Sequence, residues 1–587
     1  MKHVSTGGSS TIADQPAILA QSPARDLNLS CDNAGALCSI HSQQFTPMGW
    51  SSALYLFGFL IANLGVRLAL LRINLGEYTD GILQLKVFEI ASGLYPPLYG
   101  LLAHGVQYFG ADAETAGKIV SATASTLALI PVYLWARRLG GDCAAKFAAL
   151  FFTLCPLILR WSVRVMTDGL FLGLSAGSLY CLQVVWADRP DVRKADRWLA
   201  AASLLAALSA LTRYQGVLLL APLLVVAMAY VGRHRRVPWL TVVASLVWLL
   251  LPAWIHVHGF VHQQQFASRS VGAVVSQLLA WLNLAESFVL ISPYYLGWPI
   301  FVFALVGVFA ANWRAPQLRG FWILWLLFGI PLLGLQSVFG SFQYRYMMPL
   351  FPACLALAGT GALALEKKLL ERGRAWVFSL LLYVSVSYLA LFTCAVLVFQ
   401  RQSFGDQRAA AEYIRTTVSR EAPVVANERY GNFFNLGCVK LSFWTGRKVE
   451  PIWPYLPPSP SRPPQKDLTT GTVVVLGNCY GGDEFVDYLM AVLNYYYHMR
   501  LLNAYESTVY PLLDDIMVNP IFNQNPLGWV LRYSPQLFST HIYVIDGKRT
   551  PEEMERLVQR NLRQPVPPPS EEDKKNAREE RMRETPR

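Results

Sequence analysis

Charge is scarce in this chain. Only 15% of its 587 residues are charged, against roughly 25% in a soluble domain, and the mean hydropathy is +0.32. That excludes an ordinary soluble protein. Cysteine motifs are missing too: the nine cysteines form no CxxC and no Cys/His cluster, so neither a structural zinc site nor a disulfide scaffold is indicated. No GxxxxGK(S/T), GxGxxG or HExxH stands in a supporting context, so the usual phosphate-cradling loops and the zinc-protease helix drop out. His256, His258 and His262 are spaced i, i+2 and i+6 and share no helical face, a poor set for a metal. The N-terminus lacks the charged-then-apolar order of a signal peptide.

What is present is apolar and aromatic. Hydrophobic residues make up 53% of the chain, with 17 Trp and 27 Tyr, which collect at water–lipid boundaries. The net charge of +12 sits between hydrophobic segments rather than in one patch, so no nucleic-acid partner is expected. Two kinds of connection alternate along the apolar stretches. One is basic: Arg137 and Arg138 with Lys146; Arg189, Arg193, Lys194 and Arg197; Arg233, Arg235 and Arg236; Arg314 and Arg319; Lys367, Lys368, Arg372 and Arg374. The other holds Arg72–Gly100, Arg160–Asp168, the surroundings of Arg213, His256–Glu286 and Gln343–Tyr346. The positive-inside rule makes the basic set cytoplasmic and the second set external.

The expected fold is an α-helical polytopic membrane protein of about eleven transmembrane helices, followed by a small C-terminal extracytoplasmic α/β domain. Residues 1–47 read as a disordered cytoplasmic tail and 48–400 as the transmembrane domain, with a first outer loop at 72–115. Residues 401–564 read as the α/β domain and 565–587 as a disordered charged tail. In the α/β domain, a helix is expected over 407–418 and another over about 484–502. Strands are expected at 423–426, 473–476 and 542–545. Cys438 and Cys479 either pair in an oxidising compartment or remain free thiols.

The first outer loop organises the chain. Glu77 and Asp80 open it, and Leu83, Val87, Ile90 and Leu94 then recur at 4-3-4 spacing. That period predicts an interfacial amphipathic helix of about four turns, stopped by Pro96 and Pro97. Asp80 or Glu77 is then either a solvated helix-start acid or a reacting carboxylate held at the membrane surface. Asp168 opens a membrane segment on the same face, where a carboxylate is a cap or part of a site. Arg72, Arg160, Arg164, Arg213 and Arg345 lie on the face the charge rule leaves poor in cations. Each either snorkels or belongs to a phosphate-binding set.

These residues stand in stretches that resemble the polytopic lipid-sugar-dependent glycosyltransferases of the GT-C fold: protein O-mannosyltransferases, aminoarabinose transferases and Rgt-like enzymes. The likeness covers about 49–365. It rests on the early acid ahead of SGLYPPLY, on VRVMTDGLFLGL, on ALTRYQGVLLLAP and on YRYMMPLFP. It implies an inverting transfer of a hexosyl or pentosyl group from a polyprenyl-phosphate donor to an acceptor hydroxyl outside the cytoplasm. It also implies a bacterial inner (plasma) membrane location. Asp80 stands at the family's catalytic acid and Asp168 at its second acid. Many relatives have adjacent acids in the first loop; here Thr79 precedes Asp80, which leaves open a share for Glu77 and a divalent metal. Arg72, Arg164, Arg213, Arg345, Tyr346 and Tyr95 are the candidate donor-binding residues, with a lipid, glycan or protein as acceptor. Two rival classes are a secondary transporter, whose charges would lie at the midplane of repeated, broken spans, and a membrane scaffold presenting the outer domain.

Overall fold

The computed structural model describes residues 48–89, 93–259, 293, 295–311, 316–339, 344–427, 438–457, 464–478, 482–509 and 536–563. The two tails expected at 1–47 and 565–587, together with His262 and Cys479, lie outside them. The helical part runs through α1 (Trp50–Ala69), α2 (Thr79–Leu85), α3 (Leu98–Gln107), α4 (Ala113–Leu127), α5 (Leu129–Leu154), α6 (Pro156–Ser162) and α7 (Asp168–Gln183). It continues with α8 (Val192–Thr212), α9 (Leu220–His234), α10 (Trp239–Ser245), α11 (Leu250–His258), α12 (Trp298–Ala310), α13 (Pro316–Phe339), α14 (Phe351–Glu371) and α15 (Ala375–Gln400).

Eight helices among the described residues are long and apolar enough to cross a membrane, against about eleven expected. Part of the difference is how passes divide. One of the eight is the 42-residue run Ala113–Leu154, on the order of 60 Å long and broken at Gly141, whose φ of 83° only glycine adopts freely. Its length exceeds one hydrocarbon thickness. The 21-residue α8 opens with Arg193, Lys194, Asp196 and Arg197, which lowers its hydropathy, and α12 has only 13 residues.

Three of the basic connections gather at one end. Arg138 Nη1 donates to Asp188 Oδ1 at 2.8 Å, and the Leu240 and Thr241 amides donate to Asp196 at 3.1 Å each. Those contacts tie three basic loops together. Asp168 and Asp188 bound a 21-residue run, which at 1.5 Å per residue spans about 30 Å, one hydrocarbon thickness. The acids and arginines of the other loops therefore sit a membrane's width from the basic end.

Beyond α15 come α16 (Gly405–Thr417), β1 (Val424–Ala426), α17 (Val439–Thr445), β2 (Glu450–Pro451), β3 (Val473–Gly477), α18 (Gly482–Tyr496), β4 (Tyr497–Val509), β5 (Gln536–Lys548) and α19 (Pro551–Arg563). They build one five-stranded sheet in the order β2-β1-β3-β5-β4. β1 runs parallel to β2 and β3, while β5 is antiparallel to β3 and β4. The continuous apolar runs at Val424 and Val473 are buried throughout, as parallel strands covered on both faces require. The helix expected to reach residue 502 stops at Tyr496, where the chain enters β4 and Tyr497 is fully buried. Cys438 is buried, its Sγ 3.5 Å from the Ala426 carbonyl and 3.4 Å from that of Glu450.

The first outer loop departs most from expectation. Its helix is the seven-residue α2, not four turns, and Leu83, Val87 and Leu94 of its apolar stripe are buried in protein rather than facing lipid, Ile90 lying outside the described residues. Gly100 of α3 sits against the Gln84 carbonyl and the Val87 side chain, so α3 crosses where α2 would have continued. Ile82 and Leu83 pack with Leu94 and with Val439 of the sheet domain. The exposed large apolar side chains of this loop are Leu75 and Phe88 and, on α3 and the turn after it, Leu101, Leu102, Tyr108 and Phe109.

Candidate functional site

The site is assembled from four places where a helix starts or breaks. Asp80 is in the first turn of α2, and Asp168 is the first residue of α7. Arg213 is extended (φ −146°, ψ 137°) between α8 and a short 3-10 turn at Tyr214–Leu219. The reversal there demands glycine, since a Cβ on Gly216 would lie 2.3 Å from the Ala210 nitrogen. Arg345 and Tyr346 lie on another 3-10 turn, Tyr344–Leu350, which leads into α14. Irregular backbone at membrane depth is tolerated only where protein covers it or it lines a polar cavity. These four breaks meet one another.

Arg345 Nη2 donates to Asp80 Oδ2 at 2.5 Å, and Arg213 Nη1 donates to Asp168 Oδ1. Tyr346 lies between the pairs: Arg213 stands 4.6 Å and Arg345 5.2 Å from its ring centroid. Trp161 flanks Arg345 at 5.1 Å, and Met166 Sδ accepts from its Nη1 at 3.2 Å. Of the four charged side chains, Asp80 is the most accessible at 18% and Asp168 the least at 1%. Two polar atoms are left over. Among the described residues, Arg345 Nε and Asp168 Oδ2 are buried and make no hydrogen bond. An unsatisfied donor and an unsatisfied acceptor in one water-poor cluster are costly unless a ligand completes them.

The remaining candidates fall elsewhere. Glu77 is fully buried, 3.0 Å from Lys118 Nζ, and accepts from the Val165 amide at 3.2 Å. Arg164 is sealed, donating to the Gly76 carbonyl at 3.2 Å and to that of Gln400 at 3.0 Å. Arg160 donates to the Tyr78 hydroxyl at 3.2 Å, Arg72 is exposed, and Tyr95 packs in the cluster of Ile82, Leu83 and Val439. Sequence reasoning missed Lys118, which also pairs with Glu114 at 2.8 Å. Glu114 in turn meets Arg408 at 2.8 Å and the Trp444 indole at 3.3 Å, joining the sheet domain to the loop. It also missed Trp161 and Met166. The one signal available was their nearness to Asp168 in sequence.

Among the described residues no three His, Cys, Asp or Glu side chains converge as a metal site. The donor set also fits a divalent cation badly, because each site carboxylate already faces a guanidinium.

Residues 95–256 match the family model of dolichyl-phosphate-mannose-protein mannosyltransferases, a stretch that contains Asp168 and Arg213. Solved structures that resemble the chain include two that follow. ArnT from Cupriavidus metallidurans bound to undecaprenyl phosphate is 15% identical, with 77% of this chain and 96% of that one covered and a TM-score of 0.49. The Archaeoglobus fulgidus oligosaccharyltransferase AglB, in complex with an inhibitory peptide and a dolichol-phosphate, is 12% identical, covering 77% and 73%, with a TM-score of 0.48. Likeness at that level carries no argument about the chemistry. Among curated proteins, none matches the sequence.

Proposed function

We propose that the protein is an inverting GT-C glycosyltransferase that moves a sugar from a polyprenyl-phosphate donor to an acceptor hydroxyl on the extracytoplasmic side. The observation that carries this reading is the pairing of two acids with two arginines around Tyr346, with Arg345 Nε left unsatisfied. A phosphate oxygen supplies what Arg345 lacks, and the guanidinium fork suits it.

Asp80 is the base. It takes the proton from the acceptor hydroxyl as that oxygen attacks the anomeric carbon. The bond from that carbon to the phosphate oxygen breaks, and its electron pair leaves with the lipid phosphate. Arg345 and Arg213 stabilise the charge developing there. One displacement inverts the anomeric centre. Asp168 orients Arg213, and the buried Glu77 belongs to the scaffold. The acceptor is a lipid, glycan or protein hydroxyl approaching between the loop and the sheet domain. A transporter would carry its charges at mid-membrane, whereas these lie at the end away from the basic loops.

Sidedness decides the donor class, because nucleotide sugars belong to the cytoplasm. Cysteines replacing the exposed Arg420, in the sheet domain, and Arg235, in a basic loop, give the test in intact bacterial cells. Membrane-impermeant maleimide should label Arg420→Cys and not Arg235→Cys. Equal labelling, or the reverse, contradicts an external site.

A further inference from the structure

The two acids belong to separate segments, and their spacing depends on how α2 meets the turn before α7. Three contacts define that meeting. The Thr167 amide donates to Gln84 Oε1 at 3.1 Å, and the Val165 amide donates to Glu77 Oε2 at 3.2 Å. Between them, Gly81 approaches the Val165 carbonyl so closely that a Cβ would lie 2.1 Å from its oxygen. Residues 77, 81 and 84 step by four and three, so they share one face of α2 and the turn that enters it.

The start of α7 shows why this matters. The first amides of a helix need partners from outside it. Thr167, at the cap position of α7, offers no side-chain cap bond, and its hydroxyl is buried without a partner among the described residues. Gln84 supplies an acceptor there instead, from another element and 83 residues away in sequence. Its side chain is buried and touches neither arginine among the contacts above. Glu77 is fixed in turn by Lys118 and, through Glu114, by the sheet domain.

We infer that Gln84 and Glu77 are positioning residues that lock α2 to the start of α7 and so set the separation of Asp80 from Asp168. The inference rests on the reading of Asp80 as the base. A displacement of about 1 Å at a reacting group costs on the order of a hundredfold in rate, so a clamp this close to both acids governs turnover more than donor capture.

The test uses purified full-length protein, a polyprenyl-phosphate sugar as donor, and the variants Gln84→Met, Gln84→Glu and Asp80→Asn. Methionine keeps the length and loses the acceptor, while glutamate keeps an acceptor oxygen. Gln84→Met should lower kcat roughly ten- to a hundredfold with donor KM little changed, and Gln84→Glu should recover most of the loss. Should the methionine variant not fold, Gln84→Asn withdraws the same oxygen by one methylene and carries the same expectation. Wild-type kcat per folded molecule in Gln84→Met, or equal impairment of the Met and Glu variants, overturns the inference. An inactive Asp80→Asn beside a normal Gln84→Met sinks this inference alone. A fully active Asp80→Asn removes the base, and the clamp's purpose with it.

Discussion

Asp80→Asn is expected to fold, insert and bind donor, yet turn over at least about a hundredfold more slowly, the scale of a lost general base. Asparagine has nearly the same volume and still offers Arg345 Nη2 an acceptor, so the contact seen at Asp80 Oδ2 survives in weaker form. What disappears is the proton acceptor. The substitution also releases Arg345 from a full counter-charge, so donor should bind as tightly as before or more tightly. Loss of turnover without loss of donor binding separates a base from a binding residue. Asp168→Asn should behave differently, since Asp168 is buried and holds Arg213: donor binding should weaken along with rate. Single-turnover rates and donor affinities for both variants check this. Near-normal turnover in Asp80→Asn would pass the base to Asp168, since Glu77 is closed off beside Lys118.

Replacing the arginines one at a time by lysine should divide them into two groups. Arg345→Lys and Arg213→Lys keep the charge and lose the planar fork. A lost charged hydrogen bond of about 1.5–3 kcal/mol weakens donor binding roughly ten- to a hundredfold. Arg345 should show the larger loss, because its orphaned Nε is the donor that a phosphate would complete. Arg72→Lys should be neutral, its side chain being exposed. Arg164→Lys should lower stability rather than affinity, since it breaks the bridge from Gly76 to Gln400 that pins the first loop to the end of α15. Donor titration and thermal unfolding of the four variants measure both quantities. Unchanged donor affinity at both Arg213 and Arg345 would move the phosphate elsewhere.

Much of this was legible in the sequence because it depends on local pattern. Hydropathy located the first and last spans. The runs at Val424 and Val473 announced buried strands. Asp80, Asp168, Arg213 and Arg345 stood out as charges where apolar segments break. What escaped depends on partners distant in the chain. Asp80 and Arg345 are 265 residues apart, and no spacing rule reports their pairing. The 4-3-4 stripe in the first loop is real, but it cannot say whether lipid or protein covers it. Here Leu83 meets Val439 of the sheet domain, while α3 takes the space a longer helix would need. Glu77 looked equal to Asp80 for the same reason: only the fold brings Lys118 to it. The tyrosines at 495–497 fit a helix and a strand alike, so the switch into β4 left no mark.

The most direct test of the central claim is the fate of the donor. Purified protein in proteoliposomes, given a polyprenyl-phosphate sugar labelled in both sugar and lipid, should release polyprenyl phosphate as the sugar passes to an acceptor hydroxyl with inverted anomeric configuration. Release should depend on Asp80. Donor that crosses the bilayer intact, or lipid phosphate released equally by wild type and Asp80→Asn, would contradict the account.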